Sequence, residues 1–230
     1  MRILSIDSST DVLSVACGDG REFAVRDERV GPAHAERALP CIREVLAEQG
    51  WTLASLDAIA FGAGPGSFTG VRIACGIAQG LALGAGLGVV PIGTLEALAQ
   101  EAWCAHDATD VLACLDARMR EVYVAVYARD ARAGWRETRA PEVLSPDAVP
   151  APPSSTFGAG DGFAVHPALA ARLGLARHDA AARPTARAVA ELAVPRVLRG
   201  DLVAARDAHP VYVRHRVALT AAERAAGARL

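Results

Sequence analysis

The sequence predicts an α/β fold made of two related lobes. Three observations carry this. A strand–turn–strand unit opens the chain at Ile3–Cys17, and a second one opens its latter half at Val111–Tyr127. The two stand at an offset of 109 residues, with Asp7 over Asp116 and Leu13 over Val122. Between them, strand-like and helix-like periodicities alternate, which is the pattern of a mixed sheet flanked by helices.

The elements follow in order. Ile3–Asp7 alternates and reads as a strand, Ser8–Asp11 as a turn, and Val12–Cys17 as a second strand. A third strand is expected near Glu22–Asp27. Ala35–Gln49 reads as a helix with Leu39, Ile42, Val45 and Leu46 on one face and Gly50 as its stop. Pro40 should bend that helix or mark a late start. Leu56–Phe61 is a strand, followed by a glycine-rich loop and a helix over Phe68–Ala85. Val89–Ile92 is a strand, and Thr94 is expected to cap a helix running through Trp103. In the second half, Asp116–Glu121 is a turn and Val122–Tyr127 a strand. Ser145–Ser155 is a proline-rich loop, and Thr156–Gly162 a short strand entering a second glycine-rich turn. Thr185–Leu198 is helical with a break at Pro195. Val211–Arg214 is extended, and Leu219–Leu230 is a weak helix or a frayed end. Residues 1–104 are read as the first lobe and 105–206 as the second, smaller one, with 207–230 returning to the first.

Composition narrows the function. All 24 basic residues among the 230 are arginine, and the net charge is −2. That balance is not the basic footprint of a chain that grips nucleic acid by itself. The absence of lysine removes Schiff-base chemistry and a Walker loop. Five cysteines without a CxxC pair indicate neither a disulfide framework nor a zinc site. No apolar run of ~18 residues free of polar breaks is seen, and no leader segment precedes the first strand. The expectation is a cytoplasmic protein with no membrane association.

Three stretches could carry chemistry. Asp7, Ser9 and Thr10 lie in a turn between two strands, a placement that in one class of phosphotransferases holds metal and ATP phosphates. An ordinary Asp/Ser hairpin turn is the favoured reading over a working ATP site, since the glycine of that motif is replaced by Ser9. The loop Gly62–Ser67 offers backbone amides to an anion, but it lacks a lysine and a GxSxG elbow. It also reads as a tight turn capped by Ser67 or Thr69. His34 has Ala38 four residues on where a metal-binding HxxxH pair needs a second histidine.

Arg72, Gly76, Gly80 and Gly84 then recur every four residues along one helix face. Three interior glycines cost ~2–3 kcal/mol against alanine. Close packing should offset that cost, either within this fold or against the helices of another subunit.

Several of these segments together resemble the bacterial TsaB (YeaZ) family. They are Leu4-Ser-Ile-Asp-Ser-Ser-Thr, His34-Ala-Glu-Arg, Gly62-Ala-Gly-Pro-Gly-Ser-Phe-Thr-Gly-Val-Arg-Ile73, Leu115-Asp-Ala-Arg, Glu121-Val-Tyr and Pro210-Val-Tyr-Val-Arg. The resemblance implies an actin-like ASKHA (ribonuclease H-like) fold of two lobes, each with a mixed sheet flanked by helices. It also implies a role in forming N6-threonylcarbamoyladenosine at position 37 of ANN-decoding tRNAs. The expected role is that of a non-catalytic partner of TsaD, with TsaE in the complex and TsaC upstream.

The resemblance further implies that the first two helices pair with those of TsaD, or of a second copy in a homodimer. That places His34, Ala35, Ala38, Ile42, Thr69, Arg72, Ile73, Gly76, Gly80 and Gly84 at the interface. Asp7, Ser9 and Thr10 would be a vestigial nucleotide turn. No cofactor is required, although ATP or ADP could sit at a subunit junction, and tRNA is met only indirectly. The rival reading is an ATP-dependent ASKHA phosphotransferase or carboxylate-activating enzyme using Asp7, Thr10 and Gly158–Gly162. A peptidase of the M22, glycoprotease-like type ranks last, since neither a metal site nor a catalytic triad is recognisable.

Overall fold

The computed structural model describes residues 1–131 and 133–214. Two five-stranded mixed sheets are built from them. The first contains β1 (Ile3–Asp7), β2 (Val12–Gly18), β3 (Phe23–Arg29), β4 (Ala58–Gly64) and β5 (Gly88–Gly93), in the order β3-β2-β1-β4-β5. The second contains β6 (Asp110–Asp116), β7 (Val122–Asp130), β8 (Gly134–Leu144), β9 (Phe157–Ala159) and β10 (His178–Asp179), in the order β8-β7-β6-β9-β10. In each sheet the first three strands form an antiparallel meander, and the last two run parallel to the first. The same path is traced twice, as the repeated hairpins predict.

The repeat is not strictly in step. Asp7 pairs with Ser14, whereas Asp116 pairs with Val122. The second turn is therefore one residue shorter, and the counterpart of Val122 is Ser14 rather than Leu13.

Six helices are described: α1 (His34–Glu48), α2 (Phe68–Ala85), α3 (Thr94–His106), α4 (Gly162–Val165), α5 (Ala168–Arg172) and α6 (Ala186–Arg199). Alternation along the strands assigns them to layers. Leu4, Ile6, Leu13, Val15, Ile59 and Phe61 face α1 and α2. Ile3, Ala60, Val90 and Ile92 face the other way, onto Ala188, Val189, Ala190 and Ala193 of α6. In the second sheet, Val111, Ala113, Leu115 and Ala125 meet Leu95, Leu98, Ala99 and Ala102 of α3. Its outer face is covered by Phe163, Leu169, Ala170 and Leu173 from α4, α5 and the residue after them. Each Val, Leu, Ile or Phe so buried stabilises by ~1.5–3 kcal/mol.

The last helix of each repeat thus crosses over. α3 runs through the division at 104/105 and covers the second sheet, while α6 lies on the first. Two serines on the first sheet fix the start of α6. Ser5 Oγ donates to Ala186 O (2.7 Å), and Ser14 Oγ accepts from Ala186 N (2.7 Å). α3 and α6 are tied together by Arg196, whose guanidinium forks onto both oxygens of Glu96 (2.8 and 2.7 Å).

Several local expectations are corrected. Leu39 is 45% exposed, and the buried face of α1 is His34, Ala38, Cys41, Ile42 and Val45. Ile42 and Val45 lie on it as expected, but Ala38 and Cys41 take the place given to Leu39. α6 runs on through Pro195 to Arg199, since its apolar face is already docked on the sheet. Thr94 does not cap α3. Gly93 holds the cap position, and the Thr94 hydroxyl accepts from Gly64 N (2.9 Å), fixing the end of β4. α2 is by length and composition apolar enough to cross a membrane. Here it is the crossover between parallel β4 and β5, with Val71, Ala74, Cys75, Ala78 and Ala82 buried. Val211–Arg214 carries no ladder, and Leu219–Leu230 lies outside the described residues.

Candidate functional site

Asp7 ends β1 and is fully buried. Its Oδ1 accepts from Ser9 N (2.9 Å) and Ser9 Oγ (2.7 Å), while Oδ2 has no hydrogen-bond partner among the described residues. Burial raises the carboxyl from its ordinary 3.8 to about 6, and the two bonds from Ser9 only partly oppose this. Thr10 Oγ1 accepts from Val12 N (3.2 Å) and so closes the turn on itself.

The glycine-rich loop exists to receive this turn. A Cβ on Gly62 would lie 1.8 Å from Asp7 Oδ2, one on Gly66 2.6 Å from Ser9 O, and one on Gly70 1.8 Å from Ser8 O. Only hydrogen fits at these three positions. The contact is completed by Ser67 N donating to Ser9 O (2.7 Å) and Ser8 Oγ donating to Gly70 O (2.8 Å). Ser67 also caps α2, accepting from Gly70 N (3.3 Å). The second lobe repeats the device. Cβ atoms on Gly160 and Gly162 would fall 2.1 Å from Cys114 O and 2.3 Å from Cys114 Sγ. Asp161 Oδ1 then accepts from Asp116 N (2.9 Å).

Between the lobes lies a cleft of about 1120 Å³. The β1–β2 turn supplies Ser9 and Thr10, the start of α2 supplies Ser67–Ile73, and the β6–β7 turn supplies Asp116–Met119. Asp7 is not among its lining residues: it is sealed beneath Ser9, with Oδ2 directed at Gly62. Of the three residues expected to hold a nucleotide, only Ser9 and Thr10 reach the cleft. The one carboxylate that would carry a metal does not, so Asp7 as placed does not fit a metal–phosphate role. Among the described residues no group of three or more His, Cys, Asp or Glu is placed to hold a metal ion.

The expected interface residues divide. Ala35, Thr69, Arg72, Gly76, Gly80 and Gly84 are exposed, and Ile73 is half-buried. Ala38 and Ile42 sit in the first core, and His34 is buried with Nε2 unpartnered among the described residues. These three are not on the outer surface of α1. Leu39, counted as core from the sequence, is on that surface instead. Around Gly76, Gly80 and Gly84, apart from the helix's own backbone, no atom of the described residues lies within 4 Å of where a Cβ would stand. Among the described residues, therefore, no sheet or other helix packs against the stripe. Arg72 lies over the Phe68 ring (3.3 Å to its centroid) and donates to Phe68 O (2.7 Å).

Residues 25–140 match the family model described as "TsaD: tRNA N6-adenosine threonylcarbamoyltransferase". The chain is 40% identical over 223 residues to the tRNA threonylcarbamoyladenosine biosynthesis protein TsaB of Escherichia coli K12, covering 95% of this chain and 96% of that one. The chain belongs to the TsaB family. Its Haemophilus influenzae relative is 38% identical over 226 residues, covering 94% and 95% of the two chains. The solved structure of YeaZ from Pseudomonas aeruginosa superposes with a TM-score of 0.84 at 37% identity, covering 92% of this chain and 99% of that one. Two lobes with mixed sheets are thus the fold of this TsaB-family chain, in agreement with the α/β ASKHA-like expectation.

Two groups of contacts around the cleft were not legible in the sequence of this TsaB-family member. The seating of Asp7–Ser9 on Gly62, Gly66 and Gly70 is a contact between distant segments, and its signal was the four-residue spacing of those glycines. The second is the run Ala208–Arg214, whose polar attachments no local pattern announces.

Proposed function

We propose that this chain is a non-catalytic partner and activator of TsaD in tRNA threonylcarbamoyladenosine biosynthesis, with TsaE in the same complex and TsaC upstream. Family membership supports the role in that modification. The observation that carries the partner role is the outward face of α2. Gly76, Gly80 and Gly84 stand open, with Leu83 beside them 76% exposed. Their ~2–3 kcal/mol disadvantage against alanine has no compensation inside the described fold. A helix of another subunit, laid against this face at short range, supplies it. Ala35 and Leu39 on the outer side of α1 extend the surface, giving two helices that can meet two others in a bundle.

The same face serves a homodimer when the partner is absent, so the two assemblies compete. Non-catalytic status is supported at position 38. The resemblance places the second metal-binding histidine of the catalytic paralogue there, and Ala38 is fully buried in the core. A net charge of −2 supports contact with tRNA through the partner rather than directly. The setting that goes with this reading is the cytoplasm.

The test is a reconstituted mixture of TsaC, TsaD and TsaE with and without this chain. Modification at full rate in its absence overturns the proposal. For the surface, Gly76→Leu and Gly80→Leu are expected to abolish association with TsaD in size-exclusion light scattering while circular dichroism stays native. A complex of wild-type size with either variant rules the α2 face out.

A further inference from the structure

The segment that follows α6 ties the two lobes together. Val203 exchanges both backbone hydrogen bonds with Val89 (2.9 Å each), which adds it to the edge of β5. Ala208 O accepts from Gln79 Nε2 (2.9 Å) and Cys75 Sγ (3.5 Å) on α2. Val211 N donates to Ala63 O (2.7 Å) at the end of β4. The Tyr212 ring faces the Arg72 guanidinium at 4.8 Å. All of these attachments are to the first lobe.

Arg214 holds the second lobe instead. Its Nη2 donates to Ala117 O (2.9 Å) and lies 2.6 Å from Glu121 Oε2, and Nη1 meets the Met119 sulfur. The side chain is only 11% exposed. What it holds is an unusual turn. Arg118, Met119 and Arg120 have φ of 61°, 54° and 60°, three consecutive non-glycine residues in the left-handed region. That conformation is disfavoured for each of them and persists only where the surroundings over-determine it. The turn has bonds of its own: Arg118 N to Asp116 Oδ1, Glu121 N to Arg118 O, and Ala117 N to Glu121 O. Arg214 adds contacts at its start, its middle and its end. Val211–Arg214 and Ala117–Met119 both line the cleft, so the grip spans it.

We propose that Ala208–Arg214 is an inter-lobe latch. Fixed to the first lobe at Ala208 and Val211, it pins the left-handed turn of the second lobe through Arg214, and so sets how far the cleft stands open. The inference is independent of the docking role given to the outer face of α2, since no latch contact includes Gly76, Gly80 or Gly84.

Hydrogen–deuterium exchange and small-angle scattering on the full chain test it, with Arg214→Ala and Glu121→Gln. In Arg214→Ala the amides of Ala117, Arg118 and Glu121 are expected to exchange about tenfold faster or more, as a clamp on a charged group is lost. The radius of gyration should rise, while amides in β1 and β6 exchange at wild-type rates. Glu121→Gln keeps an acceptor but removes the charge, and should give the same pattern to a smaller degree. It alone decides the matter if Arg214→Ala fails to fold. A turn exchanging at wild-type rates, an unchanged radius, or a speed-up shared by β1 and β6 each overturns the latch.

Discussion

Alanine at Gly70 and alanine at Gly76 should move stability in opposite directions, although both residues lie in α2. At Gly76 no described residue outside the helix's own backbone stands within 4 Å of the new methyl, so helix propensity alone acts there. The gain over glycine is ~0.8–1 kcal/mol, which raises Tm by ~2–4 °C in a chain of this size. At Gly70 the methyl would sit 1.8 Å from Ser8 O and 2.9 Å from Ser8 C, both backbone atoms. A relaxed contact needs ~3.5 Å, so the β1–β2 turn must move. Overpacking of this kind costs ~1–3 kcal/mol. The displacement also strains the bonds Ser67 N to Ser9 O and Ser8 Oγ to Gly70 O, each worth ~1 kcal/mol. Set against the propensity gain, the net loss is ~1–4 kcal/mol. Urea unfolding followed by circular dichroism measures both, at a protein concentration where light scattering shows a monomer. If Gly70→Ala stabilises, the turn is not seated on that glycine. If Gly76→Ala destabilises the monomer, the outer face of α2 is engaged within its own fold and the docking argument fails. In the proposed complex with TsaD, Gly76→Ala should weaken binding while strengthening the free chain.

Three other outcomes follow from the geometry. Asp7 titrates at about 6 in the folded chain against an ordinary 3.8, so the folded state holds the proton more tightly. Its stabilising contribution is complete below the ordinary value and is lost as pH rises through 6, with a fall on the order of 3 kcal/mol by neutrality. Asp7→Asn should flatten the slope of stability between those two pKa values, and a slope unchanged from wild type would refute the assignment. Gly160→Ala should be worse than Gly70→Ala, because a φ of 119° adds backbone strain to a methyl placed 2.1 Å from Cys114 O; equal urea midpoints for the two variants would count against this. Arg196→Ala removes the fork onto Glu96 and the bond to Pro91 O, and should cost about 2–3 kcal/mol by denaturant titration.

Much of the architecture was legible because its signals are local. The two hairpins show as alternation closed by an acidic turn, and the cap of α2 was narrowed to Ser67 or Thr69, of which Ser67 holds it. The bounds of α2 were exact for the same reason, with glycine-rich turns on both sides. What was not legible depends on distant partners. Leu39 looks like core by hydrophobicity, but Ala38, Cys41, Ile42 and Val45 form the buried face of α1 and Leu39 is turned outward. Pro195 looks like a helix break, yet burial of Ala190 and Ala193 carries α6 past it. The sequence set the loop glycines apart from the Gly76–Gly84 stripe but left open what each touches. The structure divides them into Gly62, Gly66 and Gly70, which admit the neighbouring turn, and Gly76, Gly80 and Gly84, which face outward. Only the second set is available to a partner, and one sequence spacing of four residues describes both.

The crossing of α3 and α6 decides what a fragment of this protein would be. A chain cut after His106 keeps α3 but loses the sheet that covers Leu95, Leu98 and Ala102, and it bares Ile3, Ala60, Val90 and Ile92 where α6 belonged. The complementary piece carries α6 with its alanine and valine face uncovered, and a second sheet stripped of α3. Each piece therefore displays the apolar surface that the other was shaped to cover. Separately produced halves should be sticky and poorly ordered alone, and should find each other when mixed. The duplication visible in the strands does not make two autonomous modules, because each repeat completes its neighbour.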